Sequence, residues 1–187
     1  DGTQGYIVLR NLVNTFTLIA ILALTAWYAS GGKSFSLFKA DRKLLLLLAV
    51  GTVGIFIVGM SGSIAALSSM LYPSSTLAEG IAKDFSASSH YLLRLRVFHP
   101  ILSVTIGVFL LFLANWFKKQ APGSLEVKRW SNILSIIVLL QFASGAVTLL
   151  LLAPIVMQLI HLFLADAVWI AFVLMSASFL AEQNRLG

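Results

Sequence analysis

Five stretches of this chain are apolar for long enough to cross a lipid bilayer, and this limits its fold more than any other feature. They run over roughly 6–30, 44–64, 91–117, 131–152 and 155–181, and about 20 apolar residues suffice to span the hydrocarbon. Within lipid a spanning segment must satisfy its own backbone groups, so each stretch is expected to be a helix. Composition agrees. Of 187 residues 59% are hydrophobic and 11% charged, against roughly 25% charged in a soluble domain. The fold class expected is an all-α integral membrane protein with five transmembrane helices, the last four forming a four-helix bundle. Residues 1–30 are the first transmembrane helix, 44–181 the bundle, and 65–90 an outer loop within it.

The charges give the expected orientation. The connection around 31–43 holds Lys33, Lys39, Arg42 and Lys43 against Asp41, and that around 118–130 holds Lys118, Lys119, Lys128 and Arg129 against Glu126. Short basic loops stay in the cytoplasm. The net charge of +6 is therefore read as membrane orientation and not as affinity for nucleic acid. The loop over 65–90 is nearly neutral, with Glu79, Lys83, Asp84 and His90, and belongs outside. The expected product is a multi-pass protein of a bacterial cytoplasmic membrane, N-terminus outside and C-terminus cytoplasmic. The sequence starts at Asp1 with no signal-peptide pattern, which reads as a processed chain or the ordered part of a longer one. Within the outer loop, Thr76-Leu77-Ala78-Glu79 has capping-box spacing. It predicts a short helix to about Lys83, with Leu77, Ile81 and Phe85 on one apolar stripe at the interface. Pro154 is expected at the first position of the last helix.

A weak repeat runs through the bundle. Ser61-Gly62 and Ser144-Gly145 each lie in the outer half of a helix, and each is followed by an outer connection and a helix with one histidine. Those histidines are His99 and His161. Counted from the outer face they lie about eight and seven residues deep, so both are ~10–12 Å below it. Ionisable groups inside bilayer helices are rare and usually functional. Two imidazoles at one depth on repeat-related helices can take one iron from opposite sides, the bis-histidine pattern of b-type cytochromes. The bundle is thus expected to enclose a heme b. The competing reading is that each histidine is a packing residue hydrogen-bonded across helices.

Neighbouring residues extend the heme reading. Gly107, two turns below His99, leaves room for a porphyrin ring, and Ala165 lies one turn after His161. Arg94 and Arg96, above His99, are candidates for heme propionates or for snorkelling to the interface. Pro100 removes the bond to the Arg96 carbonyl, so a kink is expected there. Zinc is disfavoured, because it wants three or four ligands and no third one is available at that depth. There is no cysteine, which excludes disulfides, iron–sulfur clusters and covalent heme attachment. Asp166 and Gln141 are read at one depth, with a hydrogen bond between them favoured over a proton relay. Asn11 and Asn14 are read as interhelical hydrogen-bonding groups.

Longer matches carry a family resemblance. Gln141-Phe142-Ala143-Ser144-Gly145-Ala146-Val147-Thr148, Ala153-Pro154 and His161-Leu162-Phe163-Leu164-Ala165-Asp166 resemble the final helix pair of heme A synthases. Gly59-Met60-Ser61-Gly62-Ser63-Ile64-Ala65-Ala66-Leu67, Leu77-Ala78-Glu79-Gly80 and Arg94-Leu95-Arg96-Val97-Phe98-His99-Pro100 resemble the preceding pair. Leu12-Val13-Asn14-Thr15-Phe16 and Leu24-Thr25-Ala26-Trp27 resemble the fourth of that family's eight helices. The order and spacing of these matches carry the resemblance, not one motif.

The resemblance implies two related four-helix halves. The C-terminal half holds heme b through two histidines that fall on His99 and His161, and the N-terminal half oxidises heme O on the way to heme A. It also implies that three family helices have no counterpart here. A family histidine falls on Asn11, and no acid matches the catalytic glutamate of the N-terminal half. Alone, the chain is not expected to oxidise heme O. Three readings stay open: part of a heme A synthase-like oxidoreductase completed by a missing half or another chain; a non-catalytic heme-binding electron-transport subunit of a respiratory or photosynthetic membrane complex; or a bundle that has lost its heme and is purely structural.

Overall fold

The computed structural model describes residues 2–86, 88 and 90–186. Asp1 and the Lys39 side chain, both used above, lie outside the described residues. The elements are α1 (Gly2–Ala29), a 3-10 turn (Leu37–Lys39), α2 (Arg42–Leu71), α3 (Leu77–Phe85), α4 (Tyr91–Arg96), α5 (Phe98–Gln120), α6 (Leu125–Leu150) and α7 (Ile155–Leu186). There is no strand among the described residues. Five helical stretches are long and apolar enough to cross a membrane: Arg10–Ala29, Arg42–Leu71, Tyr91–Gln120, Leu125–Leu150 and Ile155–Arg185. The all-α, five-span expectation is met.

The helices α2, α5, α6 and α7 pack in a closed ring, each on the next, and α1 lies outside it against α7 and α2. The core is made of large apolar side chains at the end away from α3. Phe117 and Phe179 stack at 3.9 Å, and Leu113, Leu134 and Met175 are fully buried. Outward positions on the spans are also apolar, for example Val108 and Leu139, as a lipid-facing surface requires. On α1, Phe16 is buried and stacks on Trp169, and the indole N–H of Trp169 donates to the Phe16 carbonyl at 2.8 Å. One helix and its neighbour are thus joined by a buried bond and a stacked pair.

Several boundaries differ from the sequence reading. α2 continues to Leu71, so the outer connection begins at Tyr72 and not near 65. α6 begins at Leu125, capped by the Ser124 hydroxyl, which accepts from the Val127 N–H. Its Lys128 and Arg129 stand on the first turns of a helix and not in a loop. Pro154 directly precedes α7, which starts at Ile155. The turn before it holds two left-handed residues, Leu152 and Ala153, at φ 61° and 56°. The Gln158 side chain donates to the Ala153 carbonyl at 2.6 Å and braces that turn.

Over the outer end, α3 forms where its capping box predicts. The Thr76 hydroxyl accepts from the Glu79 N–H at 3.2 Å, while the Glu79 carboxylate reaches back to the Ser75 N–H at 2.8 Å. Glu79 also pairs with Lys83 at 2.7 Å. Gly80 is buried toward α4, and Ile81 and Phe85 of the apolar stripe are exposed. The helix chain Tyr91–Gln120 is interrupted at Val97, three residues before Pro100. That is the kink expected from the Arg96 carbonyl losing its partner.

Candidate functional site

The repeat becomes geometry at the end of the bundle that carries α3 and α4. The rings of His99 on α5 and His161 on α7 lie beside each other edge-on, with centroids 6.3 Å apart and ring planes at 87°. Each ring is held by the serine of one Ser-Gly pair. Ser61 Oγ lies 3.0 Å from His99 Nδ1, and Ser144 Oγ lies 2.8 Å from His161 Nδ1. Ser103 Oγ, at 3.5 Å from His99 Nδ1, is a weaker neighbour.

These bonds set the tautomers. Ser61 donates its hydroxyl proton to the Val58 carbonyl at 2.9 Å, and Ser144 donates to the Gln141 carbonyl at 3.0 Å. A carbonyl cannot donate and a hydroxyl has one proton. The assignment that satisfies both bonds at each serine makes the histidine the donor, with the proton on Nδ1. Both imidazoles then carry a lone pair on Nε2, the form that ligates a metal.

The glycine of each pair lets its ring approach. A Cβ on Gly62 would stand 3.0 Å from His99 Cε1, and one on Gly145 would stand 3.1 Å from His161 Cε1. Neither space tolerates a methyl group without moving the imidazole. Metal–nitrogen bonds of about 2 Å on either side of one ion put two imidazole centres about 6 Å apart, which is the separation found. Two nitrogen donors, each with a backbone cradle and an anchored Nδ1–H, are the residues that would hold a heme iron here. No group of three or more His, Cys, Asp or Glu suited to a metal ion occurs among the described residues.

The other residues singled out in the sequence fall as follows. Arg96 donates to Asp84 at 2.5 Å and to the Gly80 carbonyl at 3.3 Å, so it ties α3 to α4 just above His99. Arg94 is exposed. Gly107 is buried, but the room expected there for a porphyrin ring is taken up by the Phe142 ring, which fills the space its missing side chain leaves. His90 caps α4, its Nδ1 accepting from the Leu92 N–H at 3.3 Å, and stacks on Tyr72. Asn11 and Asn14 are exposed on the outward side of α1, opposite the buried Phe16.

One expectation is corrected. Gln141 does not bond Asp166: its Nε2 lies 3.2 Å from His161 Nε2. Depths counted inward from the turn paired it with Asp166. With α6 ending at Leu150 and two left-handed residues in the turn, the hairpin registers Gln141 with His161 instead. Ser61, Ser144 and Gln141 are thus site residues that side-chain type alone does not reveal. The sequence signal for the serines was their recurrence with glycine before each histidine helix.

Away from the histidines, α1, α2, α7 and the connection after α1 line an open apolar cleft of about 310 Å³, with Leu24, Phe35, Leu48, Trp169, Phe172 and Leu180 among its walls.

Comparison with known proteins bears on what this site is for. Residues 2–173 match the family model COX15-CtaA, described as cytochrome oxidase assembly protein. Two curated proteins from two strains of Thermus thermophilus, both named protoheme IX farnesyltransferase, are 36% and 35% identical to the chain over 187 residues. Each match takes in 98% of this chain and 30% of the relative, so the chain spans about 30% of the length of these relatives. No solved structure matches.

Proposed function

The chain belongs to the COX15-CtaA family of cytochrome oxidase assembly proteins, and from that premise we propose that it is the heme b-binding part of a heme A synthase-type protein, whose iron His99 and His161 would hold. The family makes it a multi-pass membrane protein related to heme A biosynthesis. The observation that carries the finer reading is the adjacent pair of imidazoles, 6.3 Å apart, each with Nδ1 hydrogen-bonded to a serine. The relatives' name concerns protoheme, which supports a heme-handling role.

Bound there, heme would supply one-electron transfer. The chain's own residues do the rest. Ser61 and Ser144 fix the tautomers and ring orientations, raising the basicity of each Nε2. Gly62 and Gly145 let the rings lie against the helix backbones. Arg94 is the cation left for an anionic propionate, since Arg96 is engaged by Asp84. The basic ends at Lys33, Arg42, Lys118 and Lys128 support a cytoplasmic assignment for the two short connections, and with it a heme site near the outer face.

A second reading, a heme-binding membrane subunit without heme O oxidation, is favoured by Asn11. It stands where the family resemblance has a histidine, and its amide is not a common iron ligand. Two experiments divide these readings. A dithionite-minus-oxidised spectrum of the purified chain is expected to show a b-type α band, lost in His99→Ala and in His161→Ala; a bandless wild type would end the heme proposal. Heme extracted after incubation with heme O and an electron acceptor, which takes the four electrons released when a methyl and water become a formyl, should contain a formyl product only if the chain or its complex is catalytic.

A further inference from the structure

The two halves of the site match except in one polar group. With Ser61 set on Ser144 in the repeat, the residue three before each serine is Val58 in one half and Gln141 in the other. Both contribute a carbonyl to the serine hydroxyl. Only Gln141 adds a polar side chain. Its Nε2 lies 3.2 Å from His161 Nε2, and its Oε1 is buried without a hydrogen-bond partner among the described residues.

The sense of this contact follows from the tautomer. His161 donates Nδ1–H to Ser144, so its Nε2 holds the lone pair and the facing Gln141 group must be the NH2 donor. That lone pair is the one a metal would take. A carbonyl oxygen left unpaired in a buried setting is costly, which marks the Gln141 position as set by its amide hydrogen. His99 has no such competitor among the described residues: its side-chain hydrogen-bonding neighbours, Ser61 and Ser103, both sit at Nδ1.

We propose that Gln141 is a positioning residue that holds the Nε2 of His161 whenever this nitrogen is not on a metal, and so makes His161 the exchangeable imidazole of the pair and His99 the permanent one. The inference rests on the heme reading above. It predicts an asymmetric site in which one ligand leaves readily and is caught by a waiting donor. The effect on the equilibrium is about fivefold, the worth of one neutral hydrogen bond.

The test uses the heme-loaded, dithionite-reduced full chain and carbon monoxide, which binds only where an imidazole has left. Gln141→Val, which copies the Val58 half, is expected to keep a six-coordinate ferrous spectrum and to take up carbon monoxide about fivefold more slowly than the wild type. Val58→Gln, which gives His99 its own competitor, is expected to speed uptake. A wild-type chain that takes up no heme overturns the inference together with the heme reading. Heme uptake with wild-type carbon monoxide kinetics in Gln141→Val overturns the inference alone. Should Gln141→Val fail to accumulate, Val58→Gln decides, and an unchanged rate there overturns it.

Discussion

Ser144 Oγ lies 2.8 Å from His161 Nδ1 while giving its own proton to the Gln141 carbonyl three residues back. Ser61 repeats this arrangement at His99, 83 residues earlier in the chain, counting 144 less 61. A hydroxyl that returns its proton to its own helix can only accept from the ring, so the helix backbone itself sets which nitrogen faces the bundle axis.

Removing that acceptor should loosen the ligand. Ser144→Ala and Ser61→Ala each leave an Nδ1–H without its partner and free the ring to turn. Loss of such outer partners typically costs 10–100-fold in metal affinity. We expect heme transfer to apomyoglobin from each variant to be about tenfold faster than from the wild type, with a shifted midpoint potential. Threonine, which keeps the hydroxyl, should restore both. Equal transfer rates and potentials in the alanine variants would remove the serines from the site.

The glycines give a test that separates the fold from the site. Alanine is about 1 kcal/mol better than glycine inside a helix, yet a Cβ at Gly62 or Gly145 would stand 3.0 or 3.1 Å from the histidine ring. Gly62→Ala and Gly145→Ala are expected to leave the thermal unfolding of the metal-free chain close to the wild type's, the helix gain offsetting the displaced ring. Both should lose most of the b-type absorbance. Circular dichroism melts and pyridine hemochrome assays of the same preparations measure the two effects. Full heme content in both variants would contradict the cradle.

The spans were legible because lipid imposes one rule on every residue of a segment, so length and apolarity suffice. Their ends were less so, since polar residues can continue a helix beyond the hydrocarbon. Thus Ser68 and Ser69 extend α2, and Lys128 and Arg129 ride on the first turns of α6. The matched depth of His99 and His161 could be counted along two helices. The partner of Gln141 could not, because it depends on how a four-residue turn with two left-handed residues registers α6 against α7. The space beside Gly107 likewise depended on where the Phe142 ring points.

The outer helix α3 should be sensitive to acid. The Lys83 hydrogen bond, and next the Ser75 N–H, hold the Glu79 carboxyl below its ordinary value of 4.5. A carboxylate with a depressed folded value stabilises its element above the unfolded value and loses that contribution as pH falls through the folded one. Protection of the 77–85 amides from hydrogen exchange, corrected for intrinsic exchange rates, should therefore be steady above about pH 5 and fall on acidification below 4.5. Glu79→Gln should flatten the profile and lower protection at neutral pH. An identical pH profile in that variant would show that Glu79 does not hold α3.

The attachment of α1 rests on one identifiable bond. Trp169 Nε1 donates to the Phe16 carbonyl at 2.8 Å in a buried contact, and the two rings stack at 5.5 Å. Elsewhere α1 turns Asn11 and Asn14 outward, so polar contacts to the bundle are few. Trp169→Phe keeps an aromatic surface and removes the donor, at a cost of about 1 kcal/mol. Because α1 lies outside the helix ring, that loss should appear as local release of α1 before unfolding of the bundle. We expect a protease site placed in the 30–41 connection to be cut faster in Trp169→Phe. The b-type spectrum should be unchanged, since the histidines stand on α5 and α7. A variant that lost heme in parallel with α1 docking would mean that α1 and the histidine site form one cooperative unit.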